Sequence, residues 1–284
     1  MAKGKITRKE LKEDEFRTFG MKVYTFVHDN SRLCFIVVIA LVIAFISHRV
    51  YKDYQARALG RSNEIFTGAM SMFEAGMFET DQTRREAALK QAIIYAEQII
   101  EEFPKSKAAR QARYLEGNAY YFMNDFDRAI SAFQYYINTA KDNQDRAKGF
   151  VALGYAFENK FFYNEQDQSI LHEAEKAYDQ AIDLGKGTYI QYQAMLCKAR
   201  LLELRYKNDE AMEIYKKIIA DRKKLEEKIA EASTDQGSQT NRATRRSQKT
   251  QAEMLSEQMK MLESLFSFEK TAELNLDRLK GEKL

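Results

Sequence analysis

The chain has one proline in 284 residues, no tryptophan, two cysteines, three histidines and twelve glycines. Proline ordinarily fills roughly 5 % of positions, so its near absence bears on every segment. Strands need turns, and turns draw on Gly, Pro, Asn and Asp. Here long stretches of Ala, Leu, Glu, Lys, Gln and Met run unbroken, the residues that lose least on entering a helix. An all-α chain is expected. Cys34 and Cys197 stand far apart in dissimilar surroundings, which argues against a disulfide or thiolate-metal framework. His28, His48 and His172 form no HExxH or similar spacing, so neither a metal centre nor a cofactor is expected. The 45 basic and 42 acidic residues are interspersed with a net charge of +3, which gives no field for nucleic acid.

What the chain does have begins with Leu33 to Ser47, LCFIVVIALVIAFIS, fifteen residues without a charge. At about 1.5 Å per residue this run alone is shorter than a hydrocarbon core of about 30 Å. Val50, Tyr51 and Tyr54 extend it beyond Arg49, whose side chain can snorkel, and Tyr24, Phe26 and Val27 supply interfacial residues before it. A buried core helix, a cleaved signal peptide and a membrane anchor compete for this run. A helix apolar all round is either deeply buried or in lipid, and here it precedes the helices that would have to bury it. A charge-rich tail of 32 residues ahead of it and ISHRVYKDY behind it do not fit a cleaved signal. The expectation is a charged cytoplasmic tail over 1–32 and one transmembrane helix over 33–51. Close-range charges, Arg17, Lys22 and Arg32 before against Arg49, Lys52, Arg57 and Arg61 after, do not decide orientation; the larger basic total of the tail favours placing it inside.

A repeat follows over 52–232. Ala92, Ala129, Ala174 and Ala211 each open one pattern: a residue four on (Ala96, Phe133, Tyr178, Tyr215), then one three further (Ile99, Tyr136, Ala181, Ile218). The alanine spacings are 37, 45 and 37. Counting 25 residues forward from the first three alanines reaches Gly117, Gly154 and Ala199. The surplus of eight is therefore expected in the turn NKFFYNEQDQSILH, between Gly154 and Ala174. Each unit reads as a helical hairpin: helix A with a small residue, a turn, then helix B with its alanine, the small residues allowing close approach. Asn124-Asp125 and Asn208-Asp209 are placed to cap B helices. The lone proline, Pro104, twelve residues after Ala92, ends a B helix, and Ser106 can cap the next. The first hairpin, with helix A around Tyr54 to Phe78, has no clear small residue in register, and Gly68 would require another long turn.

Gly117, Tyr120, Ala129 and Phe133 fit the G-x2-Y-x8-A-x3-F spacing, so the segment resembles tetratricopeptide repeats. Gly154, Ala174 and Tyr178 match with an insertion, and Ala199, Ala211 and Tyr215 match with Leu202 at the usual aromatic position. The 37-residue period, the absence of Trp, and Glu116 and Lys198 in place of leucine are departures. The resemblance implies an α-solenoid of antiparallel hairpins whose A helices line a groove. Carried onto this chain, groove positions are Tyr114, Asn118, Tyr121, Tyr155, Glu158, Asn159, Gln193, Arg200 and Glu203. Tyrosine and arginine are good partner anchors; equally, Tyr114 and Tyr121 can simply pack between repeats.

After Ala211 the last B helix runs on, and a polar linker is expected over 233–248, then an amphipathic helix over 249–284. Leu255, Met259, Leu262 and Phe266, with Met261, Leu265, Phe268, Ala272, Leu276 and Leu279, form its apolar face. Capping of the last repeat is the leading reading, a partner-binding helix or coiled coil the other. No P-loop, GxGxxG or nucleophile elbow occurs, and His172 has no base or orienter, so no enzyme is expected. The layout of charged tail, single span and short array resembles the ancillary Sec-translocon subunit family (YfgM-type), and FPKSKAARQARY resembles hairpin junctions of periplasmic tetratricopeptide proteins of the cell envelope. These imply a bacterial inner-membrane scaffold facing the periplasm, with translocon, chaperone or envelope-assembly partners. The alternative is a self-associating subunit of a membrane complex, a homo-oligomer.

Overall fold

In the computed structural model the described residues are 18–19, 21–22, 24–165, 167–236 and 245–281, and among them there is no strand. The helices are α1 (Ser31–Phe78), α2 (Gln82–Glu102), α3 (Lys107–Phe122), α4 (Phe126–Thr139), α5 (Asn143–Lys160), α6 (Gln168–Leu184), α7 (Tyr189–Leu204), α8 (Asn208–Gln236) and α9 (Arg245–Gly281). A π-helical turn, Phe161–Glu165, follows α5.

The chain divides into two units at Arg61, ten residues beyond the expected end of the apolar segment. In the first, residues 31–61 belong to α1, and the side chains of the apolar run that are described, among them Phe35, Ile36, Leu41 and Phe45, are exposed. This helix is long and apolar enough to cross a membrane, and none of its apolar window is covered by the rest of the chain. The buried-core reading of the run therefore fails. Most of the tail expected over 1–32 lies outside the described residues.

The second unit, from Ser62, is a stack of antiparallel hairpins. α3 pairs with α4, α5 with α6 and α7 with α8, while about the last four turns of α1 pair with α2. Local sequence sets the helix ends. Asp81, Ser106, Asp125, Asp142 and Asp167 each accept a backbone N–H of the following first turn, a contact worth about 1 kcal/mol. Asn208 and Asp209 do not cap α8 from outside, as their position suggested; they form its first turn, where acidic Asp209 and Glu210 suit the helix dipole. At Pro104 the chain leaves α2, with Phe103 already non-helical at φ −131°.

The periodic small residues sit at tight contacts between paired helices. Ala92, Ala129, Ala174 and Ala211 are fully buried, as are Ala199, Tyr178 and Tyr215, with Phe133 at 1 % exposure. A Cβ on Gly117 would stand 2.6 Å from the Phe133 ring, and one on Gly154 2.4 Å from Tyr178. In these two hairpins the large residue of the B helix thus occupies the space left by the missing side chain on the A helix. The eight inserted residues are shared: one lengthens α5, four enlarge the turn, and three lengthen the start of α6.

The first hairpin differs in a way the sequence count did not reveal. A Cβ on Gly76 would lie 2.8 Å from Leu89, so these two face each other across the pair. Seven residues back on α1 and seven forward on α2, two helical turns, bring Ala69 opposite Ala96. Ala69 is fully buried in one cluster with Ala92 and Ala96. The small residue in register is thus Ala69, neighbour of Gly68, reached through longer helices and not a longer turn.

Two hairpin turns share one backbone. Asn124 and Tyr206, each seven residues past the small residue of its A helix, have φ of 61° and 59°. Asn124 N–H donates to the Tyr121 carbonyl and Tyr206 N–H to that of Glu203. Asparagine suits this left-handed position; a tyrosine there is strained.

α9 lies against α7 and α8. Leu265, Ala272, Leu276 and Leu279 share a core with Leu202, Ala211 and Tyr215, so α9 caps the last repeat. Phe266 departs from the expected apolar face: it is 55 % exposed and lies beneath the Arg222 guanidinium. The side chains of Leu255 and Met259 fall outside the described residues. Helix extends to Gln236 and resumes at Arg245, entering the expected linker from both sides; 237–244 are outside the described residues.

Candidate binding groove

The A helices α3, α5 and α7 neighbour one another, so one face of each contributes to a common groove. Five of the nine positions carried over from the repeat pattern, Tyr114, Asn118, Tyr121, Tyr155 and Gln193, line a single cavity of about 280 Å³. Phe122, Phe133, Val151 and Ala152 complete it. A second cavity, about 320 Å³, shares Tyr114 and Asn118 and continues toward α1, with Phe66, Met70 and Phe73 on that side and Gln111, Asp145 and Lys148 at its margin. The sequence reading missed these last six. Gln111 lies three residues before Tyr114, and Lys148 seven before Tyr155, spacings that keep a residue on the same helix face.

The tyrosines serve both packing and lining. Tyr114 packs its ring against Phe133 and Tyr136, with centroids 5.7 and 5.1 Å away, and Lys148 Nζ stands 4.2 Å from its centroid. Tyr121 sits edge-on to Phe122 and Phe126. Burial raises both hydroxyls above the ordinary tyrosine value. Tyr155 is raised more strongly, first by burial and then by Cys197, so all three are neutral at physiological pH.

The other four predicted positions do not line the cavity. Asn159 stands behind it, donating through Nδ2 to the Tyr121 hydroxyl and the Tyr155 carbonyl, each at 2.9 Å, and so fixes both rings. Glu158 is 3 % exposed and ion-paired to Arg200. Burial raises its carboxyl above the ordinary value, against the opposing effects of Arg200 and the Tyr178 hydroxyl. The Arg200 guanidinium is half exposed and lies 5.3 Å from the Tyr155 ring centroid. Glu203 belongs to the cap: it accepts from the Tyr215 hydroxyl at 2.6 Å and pairs with Arg278 of α9.

Cys197 approaches the Tyr155 hydroxyl at 2.9 Å, and burial pushes its thiol up to about 11. It is a packed, protonated thiol rather than a nucleophile. Among the described residues no cluster of His, Cys, Asp and Glu could hold a metal. His172 is exposed on α6. The arrangement offers shape, aromatic area and neutral hydrogen-bonding groups.

No family model matches this chain, and no curated protein matches it. Among solved structures it is similar to nearly identical TPR-like repeats of a kinesin light chain-like protein from Podosopora anserina, at 13 % identity and a TM-score of 0.44. That match covers 78 % of this chain and 94 % of the other. At that score it carries no weight of its own; the all-α, tetratricopeptide-like hairpin stack stands on the packing described above.

Proposed function

We propose that this protein is a membrane-anchored protein-interaction module that holds a polypeptide partner in the groove formed by α3, α5 and α7. The observation that carries the reading is the convergence of Tyr114, Asn118, Tyr121, Tyr155 and Gln193, from three successive A helices, on one cavity. Amphipathic aromatic side chains with fixed rings supply contact area at low entropic cost. α1, long and apolar enough to span a bilayer, supports the anchor. The short basic tail supports a cytoplasmic N-terminus with the repeats in the periplasm of a bacterial cell. The architectural resemblance to the ancillary Sec-translocon subunit family points to translocon, chaperone or envelope-assembly partners.

Two experiments test this. A photo-crosslinking residue at Gln193, followed by purification from detergent, is expected to trap a translocon or chaperone component; recovery of a homo-oligomer alone refutes the reading. For topology, Thr240→Cys in a Cys34→Ser, Cys197→Ala background is expected to react with an impermeant maleimide in osmotically opened cells. Reaction only after lysis refutes the periplasmic assignment.

A further inference from the structure

The cavity among α3, α5 and α7 has a chemical character that narrows its occupant. Its nine lining residues include no charged side chain, although 31 % of the chain is charged. Of the charges beside it, buried Glu158 is paired with Arg200, and Lys148 stands over the Tyr114 ring at the margin of the second cavity. A charged group brought into such a place loses hydration without gaining a counter-charge, a cost far larger than that of a hydrogen-bonded neutral group. The volume of about 280 Å³ corresponds to about nine waters, taking about 30 Å³ for each. It lies below the span of pockets that enclose drug-sized ligands, about 300–1,000 Å³. One large side chain fits this space.

The polar lining is selective as well. Asn118 directs its Nδ2 to the Tyr114 carbonyl at 2.8 Å, leaving its side-chain oxygen. Tyr121 accepts from Asn159, leaving its own O–H to donate. Gln193 lines the cavity, is half-buried and makes no hydrogen bond within the described residues. A carboxamide carries one acceptor and two donors, the complement of a peptide group.

We infer that this cavity takes an uncharged stretch of polypeptide bearing one bulky apolar side chain, the side chain seated among Tyr114, Tyr121 and Tyr155 and the adjoining backbone amide bonded to Gln193. The inference rests on the groove reading above and specifies the chemistry of its partner. Lys148, over the outer face of Tyr114 and at the margin of the second cavity, is the feature that would instead favour an acidic neighbour, and the test separates the two.

The full chain, held in detergent, is used to select from a phage library of random twelve-residue peptides. The best binder is then measured by fluorescence anisotropy in 50 and 500 mM NaCl. The expected peptides carry Phe, Trp, Leu, Ile or Met with no Asp, Glu, Lys or Arg within two positions. Their affinity is expected to change less than twofold with salt. Gln193→Glu and Gln193→Lys, at a half-buried site without partners, are each expected to weaken binding at least tenfold, because either sign of charge is unwelcome. Circular dichroism of each variant shows whether the fold is kept, and Gln193→Ala, which adds no charge, is expected to lose threefold or more. Acidic residues beside the anchor, a tenfold loss with salt, or weakening by only one of the two charged variants overturns the neutral-occupant inference while leaving the groove in place. No enrichment, or binders indifferent to every Gln193 variant and to the obstructing Gln193→Trp, overturns the groove reading itself.

Discussion

Gly154→Ala and Gly68→Ala are the same chemical change with opposite expected signs. Both glycines lie inside helices, where alanine is favoured by about 1 kcal/mol. At Gly68 a Cβ would meet only Tyr95, at 3.8 Å, an ordinary contact, so the full gain of about 1 kcal/mol is expected. At Gly154 the new Cβ would stand 2.4, 2.7 and 2.8 Å from three Tyr178 ring atoms. Tyr178 is fully buried beside Leu171, Ala174 and Leu201, so its ring cannot withdraw. Overpacking of this kind costs about 1–3 kcal/mol or more, and with three sub-contact distances the upper part of that span applies. Subtracting the helical gain leaves a net loss of about 2 kcal/mol. Urea titration of the full chain in detergent, followed by far-UV circular dichroism, measures both. The variants should differ by about 3 kcal/mol, with Gly68→Ala the more stable. Gly154→Ala at or above wild-type stability would show that the α5–α6 approach is not as close as described, and with it the account of the repeat register would fall.

Three further outcomes are expected. Tyr206, at φ 59° and 93 % exposed, has strain without packing in return, so Tyr206→Asn should raise stability by about 1 kcal/mol in the same titration; a loss would mean its ring has a contact after all. Arg200→Met removes the partner of buried Glu158 and should cost about 1–2 kcal/mol at pH 8, the half-exposed guanidinium discounting the value for a fully buried pair. Because burial holds the Glu158 pKa above its ordinary value, the folded state takes up this proton at a higher pH than the unfolded chain. The cost therefore shrinks as pH falls toward 5, and a pH-independent loss, or one that Glu158→Gln fails to relieve, contradicts this. With its thiol pushed up to about 11 by burial, Cys197 in a Cys34→Ser chain should react with maleimide only at the rate of unfolding, and rapid labelling in the folded state would refute the packing at Tyr155.

Much of the architecture was legible because it is written in local rules. The lone proline, the capping Ser106 and Asp125, and the recurrence of Ala129, Ala174 and Ala211 each act within a few residues of where they stand. The surplus between Gly154 and Ala174 was legible, but not its division, since half of it lengthens α5 and α6 and only half the turn. Ala69 was not legible. Its register depends on how far α1 and α2 extend together, which no spacing counted from Ala92 contains. The surroundings of Glu203 and Phe266 were not legible for a related reason: α9 brings Arg278 to Glu203, and Phe266 stays largely exposed beneath Arg222.

The sequence by itself determined the helical hairpins, their period and the apolar segment ahead of them, because side-chain size and helix propensity act along the chain. The groove was decided only in three dimensions. Tyr114, Tyr121, Tyr155 and Gln193 become one cavity only once α3, α5 and α7 stand beside one another, with α3 and α5 held against their B helices where Phe133 meets Gly117 and Tyr178 meets Gly154. Its neutrality was likewise hidden, since Glu158 and Arg200, both counted as groove residues from the pattern, cancel each other at its edge. Charge in a sequence is a sum, whereas charge at a site depends on which pairs the packing has already closed.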